Sequence, residues 1–176
     1  MEIWRWLGIV VGGLLVLASA LWVTLIVSMR RKYTPVLGAV RRLNRALWNR
    51  RAMRVAGQPG AYASVIRHVG RSSGTHYETP VGVVATEGGF VITLPYGTTP
   101  DWLKNVLAAG SATIIHEGST YEVDAPRVVS STEVIHLFSP RDQRINRWYG
   151  VDDFLVLRRS GDGQPGAEHR DALASR

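Results

Sequence analysis

Hydrophobic and polar positions change their period twice along the chain, near residues 30 and 57. From Trp6 to Met29, WLGIVVGGLLVLASALWVTLIVSM, 24 residues pass without a charge. As a helix this run would be roughly 36 Å long, enough to cross a hydrocarbon layer of about 30 Å with some tilt. Residues 1–29 therefore predict a transmembrane anchor. In the next stretch, residues 30–56, Val36, Val40, Leu43 and Leu47 fall on one helical stripe. Arg41, Arg42, Arg45, Arg50 and Arg51 surround it, which predicts a basic amphipathic linker lying on an anionic membrane surface. A solvated helix docked on the following domain is the other reading of the same pattern. The glycines of GQPG, Gly57 to Gly60, then break the helix.

From residue 57 to 159 the period shortens to that of strands. YASVIRHV, YETPVGVVAT, FVITLP, SATIIHEG, STYEVDAPRVV and DFLVLRR are short, rich in β-branched residues and punctuated by glycine. SATIIHEG and STYEVDAPRVV read as a hairpin turning at Glu117-Gly118. Between the strands, TPDWLKNVLAAG predicts a helix with Thr99 as N-cap, Pro100 at the first helical position and Gly110 ending it. Ser130 with Glu133 makes a capping box that opens a short helix through Phe138. Residues 160–176 lack the apolar content to fold and predict a disordered tail. Short strands around one central helix indicate a small, mostly antiparallel barrel with one or two helices packed on it.

Composition sharpens this outline. The chain has no cysteine, which removes disulfides, thiolate metal sites and a cysteine nucleophile. Its formal charge of +7 is uneven: ten basic residues face one acidic residue up to Gly60, and eleven face thirteen afterwards. A nucleic-acid binder carries its excess on the folded domain, so nucleic acid is not an expected partner. Arg30, Arg31 and Lys32 flank the apolar run on its C-terminal side, against Glu2 and Arg5 on the other, which places the domain in the cytoplasm. Trp4 and Trp6 suit an interfacial belt. ASA at Ala18 to Ala20 resembles a signal-peptidase site, leaving a cleaved leader as the alternative to an anchor. Gly8 and Gly12 have the GxxxG spacing that lets two copies of a helix pack closely, so a homodimer is an open expectation.

Among candidate chemistry, neither a GxGxxG nor a GxxxxGK[ST] motif occurs, and the five histidines show no metal-ligand spacing. His68, His76, His116, His136 and His169 read as surface or internally satisfied side chains. The turn GRSSG, Gly70 to Gly74, carries more than a hairpin needs. Gly70 and Gly74 supply positive φ, while Arg71, Ser72 and Ser73 add a guanidinium and two hydroxyls beside exposed backbone N–H groups. That set makes either an anion cradle or an ordinary solvated turn, and in both Arg71 is expected to influence stability by less than about 0.5 kcal/mol. In DWLKNVLAAG, Trp102, Asn105, Val106 and Ala109 share one helical face, and Leu103 and Leu107 the adjacent one. The leucine face can pack the barrel, leaving an indole and an amide beside an anion-attracting helix N-terminus.

The order GRSSG, TP, YG, DWLKNVLAAG, YEV, PRVV resembles the deazaflavin (F420)-dependent nitroreductase family over about Ala61 to Val129, with a looser match to DFLVLRR. The glycine–arginine turn and the Trp-x-x-Asn helix are its most specific parts. The resemblance implies a split β-barrel, the fold of the FMN-binding split-barrel proteins. It also implies coenzyme F420, a 5-deazaflavin with a phosphate and an oligoglutamate tail, whose reduced form reduces nitroaromatics, quinones or related acceptors. By resemblance, Arg71, Ser72 and Ser73 meet the anionic part of the coenzyme, and Tyr77, Glu78, Thr79, Pro80, Val81 and Gly82 line the next stretch. Leu94, Pro95 and Tyr96 border the ring, and Asp101, Trp102, Lys104 and Asn105 close the site. The commoner family turn has a second basic residue where Ser72 stands, so this chain offers a polyanionic tail a weaker cation set. Some family members place several tyrosines over the acceptor; INRWYGVDD offers Tyr149 as proton donor, or as a tyrosine in a loop before the last strand.

These readings combine into a single-pass, cytoplasm-facing F420-dependent oxidoreductase acting on a lipophilic acceptor such as menaquinone. The alternatives are a membrane-tethered protein that binds F420 or a lipid-like ligand without turnover, and a split-barrel protein using FMN or haem.

Overall fold

The computed structural model of the chain describes residues 2–31, 38 and 53–161. The expected linker stripe and most of the expected tail lie outside these residues. Helix α1 is Glu2–Arg30, and Glu2–Ser28 within it is long and apolar enough to cross a membrane. Its side chains up to Thr24 are exposed. After a helical turn at 53–55, the strands are β1 Ser64–Val69, β2 His76–Val81, β3 Val83–Thr86 and β4 Gly89–Thr93. Helix α2, Asp101–Ala109, separates them from β5 Ser111–His116 and β6 Ser119–Ser130. Helix α3, Ser131–Val134, continues as a 3-10 turn over Ile135–Leu137; α4 is Pro140–Tyr149 and β7 is Asp153–Arg159.

All seven strands join one antiparallel sheet in the order β2-β1-β5-β6-β7-β4-β3. Its two edges are β2 and β3, which are adjacent in sequence with only Gly82 between them. Val81 pairs with Ser64 at one edge while Val83 pairs with Ile92 at the other. A flat sheet cannot satisfy both pairings, so the sheet curls until its edges meet: a split β-barrel. The segment YETPVGVVAT, expected as one strand, is thus two strands serving opposite edges. The long β6 helps the curl, with its register shifting between Asp124 and Arg127, where Ala125 takes φ 49°. The Glu117-Gly118 turn is as expected, both residues having positive φ (49° and 76°), the signature of a type I′ hairpin.

Two apolar clusters result from period-2 alternation. Phe90, Ile92, Leu155 and Leu157 face the first, with Ile66, Ile114 and Val123; Val91 and Phe154 face the second, with Val129, Val134, Phe138 and Val151. Strands β4 and β7 are therefore covered on both faces and read as continuous apolar runs. Helix α2 sends Leu103 and Val106, both fully buried, into the first cluster. Each such burial is worth about 1.5–3 kcal/mol. Leu107 is exposed instead, so the buried stripe is Leu103–Val106 and not the leucine pair.

The N-cap of α2 is Pro100, not Thr99, whose hydroxyl bonds the Tyr96 carbonyl; Gly110 closes the helix at φ 71° as expected. The capping box at Ser130 and Glu133 is present. Helix α4 was not anticipated. Its sequence, PRDQRINRWY, has no buried apolar stripe, but Ser139 caps it by accepting from the Asp142 N–H and Gly150 ends it at φ 63°. Ser160, placed in the expected tail, still belongs to the domain through hydrogen bonds to the Glu122 carbonyl and the Asp124 carboxylate.

Candidate functional site

Strand alternation turns Ser64, Ile66 and His68 of β1 inward, and His68 ends up buried beneath the GRSSG turn. The turn folds back through Gly74 N–H to the Gly70 carbonyl (2.8 Å) and Gly70 N–H to the Thr75 carbonyl (2.8 Å). Gly74 has φ 66°, as expected. Gly70 is needed for a different reason: a Cβ there would stand 2.5 Å from Ser73 Oγ and 2.9 Å from Tyr77 Cε2. Close approach, not positive φ, makes it glycine. Ser73 Oγ accepts from the Thr75 N–H at 3.3 Å and lies 3.4 Å from the Tyr77 hydroxyl.

Arg71 reaches from this turn to α2. Its backbone N–H and its Nη1 both donate to Asn105 Oδ1, at 3.2 and 2.9 Å, and its Nη2 donates to Asp101 Oδ1 at 3.2 Å. Two donors on Oδ1 fix the amide's orientation, so Nδ2 donates to His68 Nδ1 at 3.2 Å. The imidazole then carries its proton on Nε2 and donates to the Thr79 hydroxyl at 3.2 Å. Tyr77 stacks on the same imidazole, with ring centroids 5.7 Å apart. One chain of contacts therefore links turn, α2, β1 and β2, with buried Asn105 at its centre. Arg71 is not the loosely held turn residue of the sequence-based expectation, since it ties the turn to the helix.

Burial holds the His68 pKa below its ordinary 6.5. A proton on Nδ1 would also oppose the Asn105 amide donor. The unfolded chain binds that proton more readily, so stability is complete above about pH 6.5 and declines as pH falls through and below it. Urea unfolding at neutral and mildly acidic pH should show this slope, and His68→Gln should flatten it. An unchanged slope in that variant would assign the pH dependence elsewhere.

The remaining expected residues divide by accessibility. Glu78 is exposed and paired with Arg67 across the strands at 2.7 Å. Thr79, Pro80, Pro95, Tyr96 and Trp102 are half-buried, and Trp102 also packs against the first cluster. Ser72, Gly82 and Lys104 are exposed. Val81 and Leu94 belong to the first cluster, so their side chains face the core. Tyr149 ends α4 rather than sitting in a loop, half-buried against the second cluster. The Leu94 N–H donates to the Asp153 carbonyl at 3.2 Å, which joins the 94–97 loop to the α4–β7 junction. His68 is the central residue that the sequence reading left among satisfied histidines; its inward position in the β1 alternation was the available signal.

Among the described residues no cluster of acidic or histidine side chains could hold a metal ion. Chemically, the arrangement offers a guanidinium with 39% of its side chain exposed, hydroxyls at Ser72 and Ser73, and the N-terminus of α2. Asp101 shares this edge, with 71% of its side chain exposed. Such an exposed pair is worth at most about 1 kcal/mol, so a stronger anion can take Arg71 from it.

No protein-family model matches the chain, and no curated protein matches it. Solved structures do. One is an F420-H2 dependent reductase, FDR-A, at 17% identity and a TM-score of 0.42, covering 54% of this chain and 93% of that one. An F420 reductase matches at 13% identity and a TM-score of 0.40, covering 61% and 92%. HutZ, the heme storage protein from Vibrio cholerae, matches at 12% identity and a TM-score of 0.43, covering 58% and 83%.

Proposed function

We propose that this chain is a membrane-anchored oxidoreductase that uses reduced F420, with its barrel on the cytoplasmic side. The observation that carries the reading is the junction of the GRSSG turn with the first turn of α2, where the Arg71 guanidinium reaches Asn105 and Asp101 from a turn that also carries the Ser72 and Ser73 hydroxyls. This donor set suits a phosphate. Arg71, Ser72 and Ser73 would hold the anionic part, Lys104 would add a second charge, and Pro95, Tyr96 and Trp102 would flank the ring. When bound, the reduced deazaflavin supplies a hydride to the acceptor. The protein's part is to anchor the anion, orient the ring and keep the imidazole of His68 neutral beneath the turn. Helix α1 supports a lipophilic, quinone-like acceptor, because an anchored barrel meets such a molecule where it is most concentrated. Tyr149 is the proposed proton donor, placed at the junction to which the 94–97 loop is bonded.

Full-length protein in detergent, titrated with F420 and separately with FMN, tests this through tryptophan fluorescence, to which Trp102 should respond. F420 binding without FMN binding, and oxidation of reduced F420 by a menaquinone analogue, are the expected results. Binding without turnover would make the chain a carrier of the coenzyme. Tight FMN binding with no response to F420 would overturn the proposal.

A further inference from the structure

Helix α4 carries an exposed face that the barrel does not use. Arg141, Arg144, Ile145 and Trp148 lie at positions i, i+3, i+4 and i+7 and are all exposed, with Arg147 beside them. Trp148 is 57% exposed. The acid on this helix, Asp142, is engaged with Ser139 through its carboxylate at 2.7 Å. A stripe of tryptophan and isoleucine edged by three arginines has the composition of a helix that lies in a membrane interface.

The end of α1 is docked against this helix. Arg30 donates from Nε to the Trp148 carbonyl at 3.1 Å and from Nη2 to the Arg147 carbonyl at 3.3 Å, the latter also accepting the Gly150 N–H at the α4 C-terminus. The indoles of Trp22 and Trp148 meet edge to face, 5.5 Å apart. Trp22 lies eight residues before Arg30, about 12 Å along the helix, and inside the apolar stretch. The apolar stretch ends at Ser28 with Arg30 just beyond it, so the boundary lies near these residues and Trp22 sits on its lipid side. Trp148 shares the level of Trp22, so the α4 face cannot stand clear of that boundary.

We infer that α4 is a membrane-interface helix that binds an anionic lipid surface, laying Ile145 and Trp148 among the headgroups and pinning the barrel to the bilayer. This rests on the reading of α1 as a spanning helix. It extends the anchor from a tether to a fixed orientation, with the 94–97 loop held next to the α4–β7 junction by its bond to Asp153. A lipophilic acceptor then reaches the barrel without crossing open water.

The chain has no cysteine, so a single introduced one takes a label alone. Ile145→Cys reports on α4. Glu87→Cys is the control, since Gly88 bonds Arg159 at the far end of β7, about 20 Å from α4. Each full-length variant carries an environment-sensitive fluorophore in vesicles of phosphatidylcholine with phosphatidylglycerol. The label at 145 should shift to the blue and lose emission to lipids bearing a nitroxide near the headgroup, and the label at 87 should do neither. Arg141→Glu combined with Arg144→Glu should diminish both effects at 145. If 145 is as water-like as 87 while the chain still resists carbonate extraction, the inference fails and the anchor stands. Release of the chain by carbonate overturns the spanning reading and the inference with it.

Discussion

Asn105→Ala is expected to lower the stability of the barrel by about 2–4 kcal/mol, a large effect for a polar side chain on a helix. The amide accepts two hydrogen bonds from Arg71 and donates one to His68. Truncation leaves the buried imidazole nitrogen without its donor and the turn without its anchor on α2. Each buried polar group so orphaned costs about 1–3 kcal/mol. Urea unfolding of the variant beside the parent measures this, and a loss below about 0.5 kcal/mol would show that water replaces the amide. Asn105→Asp separates the two halves of the network. It retains an acceptor for Arg71 but offers His68 an acceptor where it had a donor, so the imidazolium becomes the favoured form. The rise of stability with pH through about 6.5 should then flatten or reverse.

The second large effect is on ligand affinity. Arg71→Ala should weaken F420 binding by roughly ten- to over a hundredfold, since a charge-assisted hydrogen bond contributes about 1.5–3 kcal/mol. Stability should fall as well, by about 1–2 kcal/mol, because the guanidinium joins the turn to α2 through Asn105 and Asp101. Two further variants separate binding from folding. Asp101→Asn removes the carboxylate that competes for Arg71 and should tighten binding of the anion. Ser72→Lys adds a second cation and should do the same, most clearly at low salt. Affinity within twofold of the parent in Arg71→Ala, with the protein folded, would move the anion to the α2 N-terminus alone.

Local chemistry was enough to mark several features of this protein. The long apolar helix α1, of a length that could cross a membrane, follows from composition, since 24 uncharged residues run on without a proline. The type I′ turn at Glu117-Gly118, the capping box at Ser130 and the stop at Gly110 follow from residues acting within one turn of backbone. The strand character of β1, β4 and β7 follows from short β-branched runs bounded by turn residues.

Closure of the barrel did not follow. YETPVGVVAT reads as one strand because each half has strand chemistry, and only pairing with partners on opposite edges breaks it at Gly82. Helix α4 escaped notice because it buries almost no apolar surface, and its position is set by caps at both ends. At the candidate site, sequence alone placed the charge and hydroxyls in the GRSSG turn and an amide on α2. That Arg71 would reach Asn105, and that Asn105 would in turn bond the buried His68, depended on contacts spanning 34 and 37 positions along the chain. Hydrogen bonds of that reach leave no local signature, since each partner is an ordinary residue in its own segment and acquires its role only when folding removes the water between them.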